Sequence, residues 1–331
     1  MAGVKALRKI QLGREVTPGT AVVATTLWRG LGTIKDARTI EMVDEDIGLL
    51  INTNRSYIPK YMAEISMESV PATFQQLLHL FEAGIMTASP VADGAGTGFI
   101  YTYNVPTTSI PTIQTYTIEG GDNQQAEEME YSFVSEFTLE GAGGEALMMS
   151  GNWTGRQVTN TTFTGAIAIP VVEEILTSRG KIYIDTVASG FGNTQVSNLL
   201  LKMSLKVKTG LIAKFTTEGE LYFSFHQSTR PEIELNLTFE HTTDAVNEKI
   251  FWRDQTPRAI RIIFEGSGLT TPGAFDFHTL ILDLPGIYKE FANLGDQDGN
   301  DIYDVTFSVG YDPTIGHGGQ IVVVNQLSAV P

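Results

Sequence analysis

The chain has 331 residues, 42% of them hydrophobic and 18% charged, which suits one large β domain or two ordinary ones and excludes global disorder. It contains no cysteine, so disulfides, thiol nucleophiles and cysteine-held metals are ruled out. The formal net charge is -16 with no cluster of Lys and Arg, which argues against a protein that grips nucleic acid through its phosphates.

The first stretch, "LGREVTPGTAVVATTLWRGLG" over 12–32, resists the usual readings. No apolar run follows the basic Lys5, Arg8 and Lys9, so it is not a signal peptide. Pro18, Gly19 and the β-branched Val16, Thr17, Thr20, Val22 and Val23 disfavour a helix. Residues 1–30 therefore read as an extended arm outside any core, with Leu12, Val16, Pro18, Val22, Val23 and Leu27 as its contact residues. Removing residues 1–26 is expected to leave the rest folded. The acidic run Asp44, Glu45 and Asp46 reads as a loop.

Alternation of period two dominates the remainder of the chain. "AEISMES" places Ala63, Ile65 and Met67 on one face, and "YSFVSEFTLE" does so with Phe133, Phe137 and Leu139. In "LKMSLKVK", Leu201, Met203, Leu205 and Val207 face one way, with Lys202, Ser204, Lys206 and Lys208 opposite. "ELYFSFH" and "ELNLTFE" repeat the pattern, the second with Leu235, Leu237 and Phe239 inward. These are strands of antiparallel sheets buried on one face.

Two segments carry helical spacing. In "SVPATFQQLLHLFEAG" the stripe Phe74, Leu77, Leu78 and Phe81 predicts a helix over 73–83, with Ser69 as cap, Pro71 in the first turn, Gln75 exposed and Gly84 closing it. In "TTDAVNEKIFWRDQTP" the cap is Thr243 or Asp244, Val246 and Ile250 point inward, and Pro257 lies beyond the end. "PVVEEILTSRG" allows a turn or two before Gly180.

The order of these pieces repeats. Strand then helix in "AEISMESVPATFQQLLHLF" recurs in "LNLTFEHTTDAVNEKIFWR", placing Ile65 on Leu237, Phe74 on Val246 and Leu78 on Ile250. Further on, "EFTLEG" (136–141) matches "TFSVGY" (306–311) and "LMMSG" (147–151) matches "IVVVN" (321–325). The expected organisation is an arm over 1–30 and two β modules over 31–170 and 171–331, one a copy of the other.

The catalytic inventory is nearly empty, and no cofactor or metal is expected. His79, His226, His241, His278 and His317 show no zinc-ligand spacing. "GDQDGND" (295–301) has its glycine in the wrong place for a calcium loop and reads as an Asp-Gly turn. "DGAGTG" (93–98) lacks the Lys-Ser/Thr of a phosphate loop and reads as a flexible surface loop.

Taken in order, "RKIQLGREVTPGTAVVATT", "RGLGTIKDARTIEMVDEDIGLL", "NRSYIPKYMAEISMESVPATFQQLLHLFEAGI" and "SRGKIYIDT" resemble the major tail tube proteins of long, non-contractile-tailed bacteriophages. The resemblance runs from about residue 6 to 185 and is strongest over 10–85. It implies a non-enzymatic virion protein of mainly β fold: antiparallel sandwich modules, each flanked by a short helix. Six modules would close into a ring, so a chain with two modules needs three copies, or six without the duplication. Stacked rings would form the tail tube that conducts double-stranded DNA without binding it tightly. The arm would clamp neighbours, and Asp44, Glu45 and Asp46 would lie at the lumen or on a loop. Lumen hairpins are expected within 33–68 and 199–240, the long strand pairs that precede each helix. The family further implies contacts with a tape measure protein and with tail terminator and tip proteins, assembly in the host bacterial cytoplasm, and no membrane span. Two alternatives are another β-sandwich protein of capsid or tail tip, and a secreted carbohydrate-binding or glycosidase-like β-sandwich.

Overall fold

The computed structural model describes residues 2–331, and the fold is mainly β with every strand pairing antiparallel. In chain order the first half contains β1 (Lys9–Arg14), β2 (Thr26–Trp28), β3 (Gly32–Asp36), β4 (Thr39–Met42), β5 (Ser56–Lys60), β6 (Ala63–Pro71), α1 (Leu77–Gly84), β7 (Val91–Ala92), β8 (Phe99–Asn104), β9 (Tyr116–Gly121), β10 (Ala126–Ala142), β11 (Met148–Gly155) and β12 (Val158–Thr161). The second half contains β13 (Gly180–Thr186), β14 (Gln195–Val196), β15 (Leu200–Lys208), β16 (Leu211–Lys214), β17 (Phe225–Ser228), β18 (Glu232–Glu240), α2 (Thr243–Arg253), β19 (Arg258–Gly268), β20 (Phe277–Phe291), β21 (Gly295–Gln297), β22 (Asn300–Val309) and β23 (Gln320–Asn325).

The strands that alternate most cleanly in sequence form one long sheet in the order β3–β6–β11–β10–β15–β18–β22–β20. A second sheet runs β2–β1–β9–β10–β12, and a third runs β14–β13–β19–β20–β23–β8–β7. β10 and β20 each belong to two sheets, using their first half in a small sheet and their second half in the long one. β10 turns that corner at Tyr131, a non-glycine residue at φ 56, where its register shifts between Met129 and Ser132. Inward side chains of the sheets, such as Ile34, Ile65 and Met67 against Leu12, Ile118 and Met129, share one core.

The halves carry matching pairings. β3–β6, β6–β11, β11–β10, β10–β9, β10–β12 and β9–β1 are matched by β15–β18, β18–β22, β22–β20, β20–β19, β20–β23 and β19–β13. By these pairings β10 corresponds to β20 and β11 to β22. That corrects the sequence match of 136–141 to 306–311 and of 147–151 to 321–325, which set β10 on β22 and β11 on β23. The constant offset fails after the helices because the first half inserts β7 and β8 between α1 and β9. The halves are also bound together across the boundary near residue 170: β8 pairs with β23, and the second half of β10 with β15.

Both helices differ from expectation in detail. The Thr73 hydroxyl, not Ser69, accepts the N–H of Gln76 ahead of α1, because Ser69 and Pro71 are still paired in or extending β6. Phe74, Leu77, Leu78 and Phe81 are fully buried, as their spacing predicts. In α2 the cap is Thr242, which accepts the N–H of Ala245. Val246 and Ile250 are 42% and 47% exposed, contrary to the inward placing. The buried face carries Ala245 and Glu248 instead, because Arg258 and Tyr288 wait beneath it: Arg258 donates to both Glu248 oxygens, and the Tyr288 hydroxyl to one.

Two loops also resolve. Asp298 and Gly299 adopt φ 56 and 86 between β21 and β22, the two left-handed residues of a tight hairpin turn. The 93–98 loop is no loose surface segment, since the buried Asp93 carboxylate accepts the N–H groups of Ala274 and Phe275 at 2.8 and 3.1 Å and holds the β19–β20 turn.

Candidate assembly surface

The N-terminal segment is part of the fold. β1 lies between β2 and β9, with Ile10 and Leu12 buried in the core. This corrects the reading of residues 1–30 as a free arm; Met1 lies outside the described residues. The physical cause is that "KIQLGR" supplies inward Ile10 and Leu12 to a sheet whose β9 would otherwise be bare on that edge. Residues 2–8 ahead of β1 and most of the β1–β2 connection stay outside the core. In that connection Val16 is 93% exposed, Val23 and Pro18 are exposed and Val22 is half-buried, whereas Leu27 lies within β2 and is half-buried.

That connection is anchored by Glu15, a residue no sequence pattern singles out. Its buried carboxylate accepts from the Thr115 hydroxyl at 2.7 Å, the Thr117 hydroxyl at 3.1 Å, and the N–H groups of Gly19 at 2.8 Å and Tyr131 at 2.7 Å. One side chain thus satisfies the corner of β10 and the loop at once. Deeper in, Arg14 pairs with Glu82 of α1 at 3.0 Å, and the Tyr116 hydroxyl joins Glu82 to the His79 ring. Burial, reinforced by the charge of Arg14, lowers the His79 pKa to about 3, so this histidine is neutral.

The exposed face of the long sheet is polar throughout its middle. Lysines there face carboxylates across neighbouring strands, Lys35 to Glu64 at 2.9 Å, Lys206 to Glu136 at 3.3 Å and Lys208 to Glu232 at 2.7 Å, and Lys289 of β20 reaches over β22 to Glu234 of β18 at 3.4 Å; Lys202 makes no ion pair among the described residues. Such exposed pairs add little stability, but they cancel cationic charge locally. The same cross-strand hydrogen bond recurs in both halves, Ser66 to Asn152 in one and Thr306 to Asn236 in the other, each at 2.9 Å. Of the two segments expected to hold lumen hairpins, strands β3, β6, β15 and β18 lie in this sheet, while the hairpins β4–β5 and β16–β17 lie outside it.

The long sheet ends in two open edges among the described residues. β3 pairs on one side only, with β6, and residues 287–291 of β20 pair only with β22. In the matching places inside the chain, β15 and the second half of β10 do pair with each other, Glu136 opposite Lys208 through Ala142 opposite Lys202. An unpaired edge is a template for another strand.

The remaining unsatisfied element is the hairpin β4–β5. It pairs with no other strand, and none of residues 35–62 is buried. Asp44, Glu45 and Asp46 sit in its tip rather than on the face of the long sheet; Glu45 pairs with Arg55 and accepts from Thr53 at 2.9 Å, and Asp44 accepts from Asn52. Beyond them the apolar Ile47, Leu49, Leu50 and Ile51 are exposed. A lone two-stranded hairpin with an apolar tip is marginal in water.

Among the described residues no three His, Asp or Glu side chains converge as a metal site, and no helix is long and apolar enough to cross a membrane. Comparison with known protein families and with curated proteins finds no match to this chain.

Proposed function

We propose that this chain is a structural subunit that assembles with copies of itself into closed rings, and that stacked rings form a phage-type tail tube. The observation that carries the proposal is the pair of open edges. β3 stands where β15 stands in the other half, and the end of β20 stands where the end of β10 stands. The contact β10–β15 already made within the chain is therefore available between chains, from the end of β20 on one copy to β3 on the next. Repetition of one head-to-tail contact with a fixed rotation closes a ring.

The matching pairings of the halves favour a duplicated module and hence three copies per ring, giving the sixfold arrangement that the sequence resemblance implies. The continuous long sheet would line the channel with its polar face. On that face Lys35, Lys206, Lys208 and Lys289 are matched by carboxylates and Lys202 stands alone, so phosphates passing through would meet one isolated cation and no cationic stripe to hold them, and the acidic chain as a whole repels them. Tape measure, terminator and tip proteins are the partners such a tube would need. The virion tail, built in the host cytoplasm, is its place in this reading, and the role is not enzymatic.

Size-exclusion chromatography with light scattering tests the closed unit. The expected species has three times the 36.1 kDa chain mass, or multiples of that unit. A monomer that persists at high concentration would contradict the proposal.

A further inference from the structure

The two halves treat their hairpins differently. β16–β17 folds back onto the first half: the N–H of Tyr61 donates to the Leu221 carbonyl at 2.8 Å, and Arg156 donates to the carbonyls of Phe223 and Ser224 at 3.0 and 2.7 Å. Phe223 is buried against Tyr131 and Phe133. This seat lies between the residues leading into β6 and those leaving β11.

The corresponding place in the second half lies between the residues leading into β18 and those leaving β22. The backbone supports the correspondence, since Arg156 N–H donates to Glu130 O of β10 as Gly310 N–H donates to Pro285 O of β20. There the chain has a groove of about 730 Å³, lined by Val105, Ile110, Pro231, Ile233, Val309 and Tyr311. Ile110 and Tyr311 are exposed on it, and Arg230 is its cation. Where the first half has a seat filled by a hairpin, the second has a seat with none.

We propose that this groove receives the tip of the β4–β5 hairpin, Ile47–Ile51, from a second copy of the chain. The proposal rests on the self-assembly reading above and names the surface that reading requires. The hairpin occupies the same position between β3 and β6 that β16–β17 occupies between β15 and β18, so the contact made within the chain is repeated between chains. Charge selects the same occupant: exposed Asp44 and Asp46 flank the apolar tip, and Arg230 stands at the groove. Each copy then gives one hairpin and receives one, a head-to-tail contact compatible with a ring.

The chain has no cysteine, so introduced thiols report cleanly. Leu50→Cys and Tyr311→Cys variants, carrying tags of different mass, are mixed, assembled and oxidised. The expected product on a non-reducing gel is the mixed dimer, absent when either variant is oxidised alone. Rings that assemble without the mixed dimer overturn the groove and leave the self-assembly reading standing. Neither rings nor dimer overturns both. A chain carrying both cysteines that closes only on itself also overturns the proposal, because the hairpin would then dock within its own chain. Arg230→Glu should slow association on the order of tenfold at low salt, with recovery on pairing it with Asp44→Lys and Asp46→Lys; an unchanged rate removes the electrostatic part of the argument.

Discussion

Arg156 holds Phe223 by its backbone, donating from Nε to the Phe223 carbonyl at 3.0 Å while its guanidinium lies 4.4 Å over the ring of Tyr131. Its second donor reaches Ser224, so one side chain pins the β16–β17 hairpin to the other half of the molecule. Charge-assisted hydrogen bonds contribute about 1.5–3 kcal/mol each when a partner is buried. Arg156→Ala should lower stability by roughly 2 kcal/mol and speed amide exchange over 215–228. Arg156→Lys should recover little of this, because an ammonium cannot fork to two carbonyls and stack at once. Unchanged exchange in both variants would show that the hairpin is held by its apolar contacts alone.

The two helices predict opposite responses to similar truncations. Leu78 is fully buried, so Leu78→Ala should cost about 2–5 kcal/mol in a denaturant melt. Val246→Ala and Ile250→Ala remove half-exposed side chains and should each cost within about 0.5 kcal/mol. Gln75, expected to be idle, accepts the N–H of Glu173 at 2.9 Å, so Gln75→Ala should cost about 1 kcal/mol. A large loss at Ile250 in the isolated chain would contradict the exposed face of α2.

Truncation of the N-terminus carries a different expectation from the structure than from the sequence. Deleting residues 1–26 removes β1 and the Glu15 carboxylate, leaving β9 with an open edge and Thr115, Thr117 and the Tyr131 N–H without their acceptor. The fold itself should fail, seen as a lost or strongly lowered thermal transition. Glu15→Gln, which keeps the shape but gives up acceptor strength, should destabilise by roughly 1–3 kcal/mol. A truncated chain melting like the full one would return residues 1–26 to the role of a dispensable arm.

His79 gives a pH signature with a definite sign. Its pKa falls from 6.5 in the unfolded chain to about 3 in the fold, through burial first and Arg14 second. The folded state therefore resists protonation. This group's contribution is fully present above pH 6.5 and is lost as pH falls toward 3, at up to about 1.4 kcal/mol per pH unit. Glu82 beside it works the other way, since burial raises its pKa and favours the fold on acidification. The His79→Gln variant should lose less stability than the parent between pH 6.5 and pH 3 in melts across that range. Parallel curves for both proteins would remove His79 from the acid response.

How much of this is legible in the residues depends on what each signal reports. Alternation in "LKMSLKVK" and "AEISMES" shows directly which side chains enter the core, and it places the long sheet and its lysine-bearing face. It cannot show which strand lies beside which, so the partnership of β10 with β15 and the open edge of β3 are beyond it. β-branched residues around Pro18 and Gly19 mask the short inward pair Ile10 and Leu12, whose burial depends on β9 more than a hundred residues away. Val246 and Ile250 keep helical spacing, yet the inward face of α2 is decided by a charged partner: Arg258, supplied by β19, draws Glu248 beneath the helix. Acidic residues 44–46 are visible as a loop, whereas the bareness of the whole hairpin is a tertiary fact.

The central claim is that the open edges of the long sheet join copies of the chain into a ring. Negative-stain electron microscopy of the purified, full-length protein tests it most directly. The account predicts closed rings with a central channel and pseudo-sixfold outline built from three chains, stacking into tubes as concentration rises. Separate single chains with no ring at any concentration would contradict it.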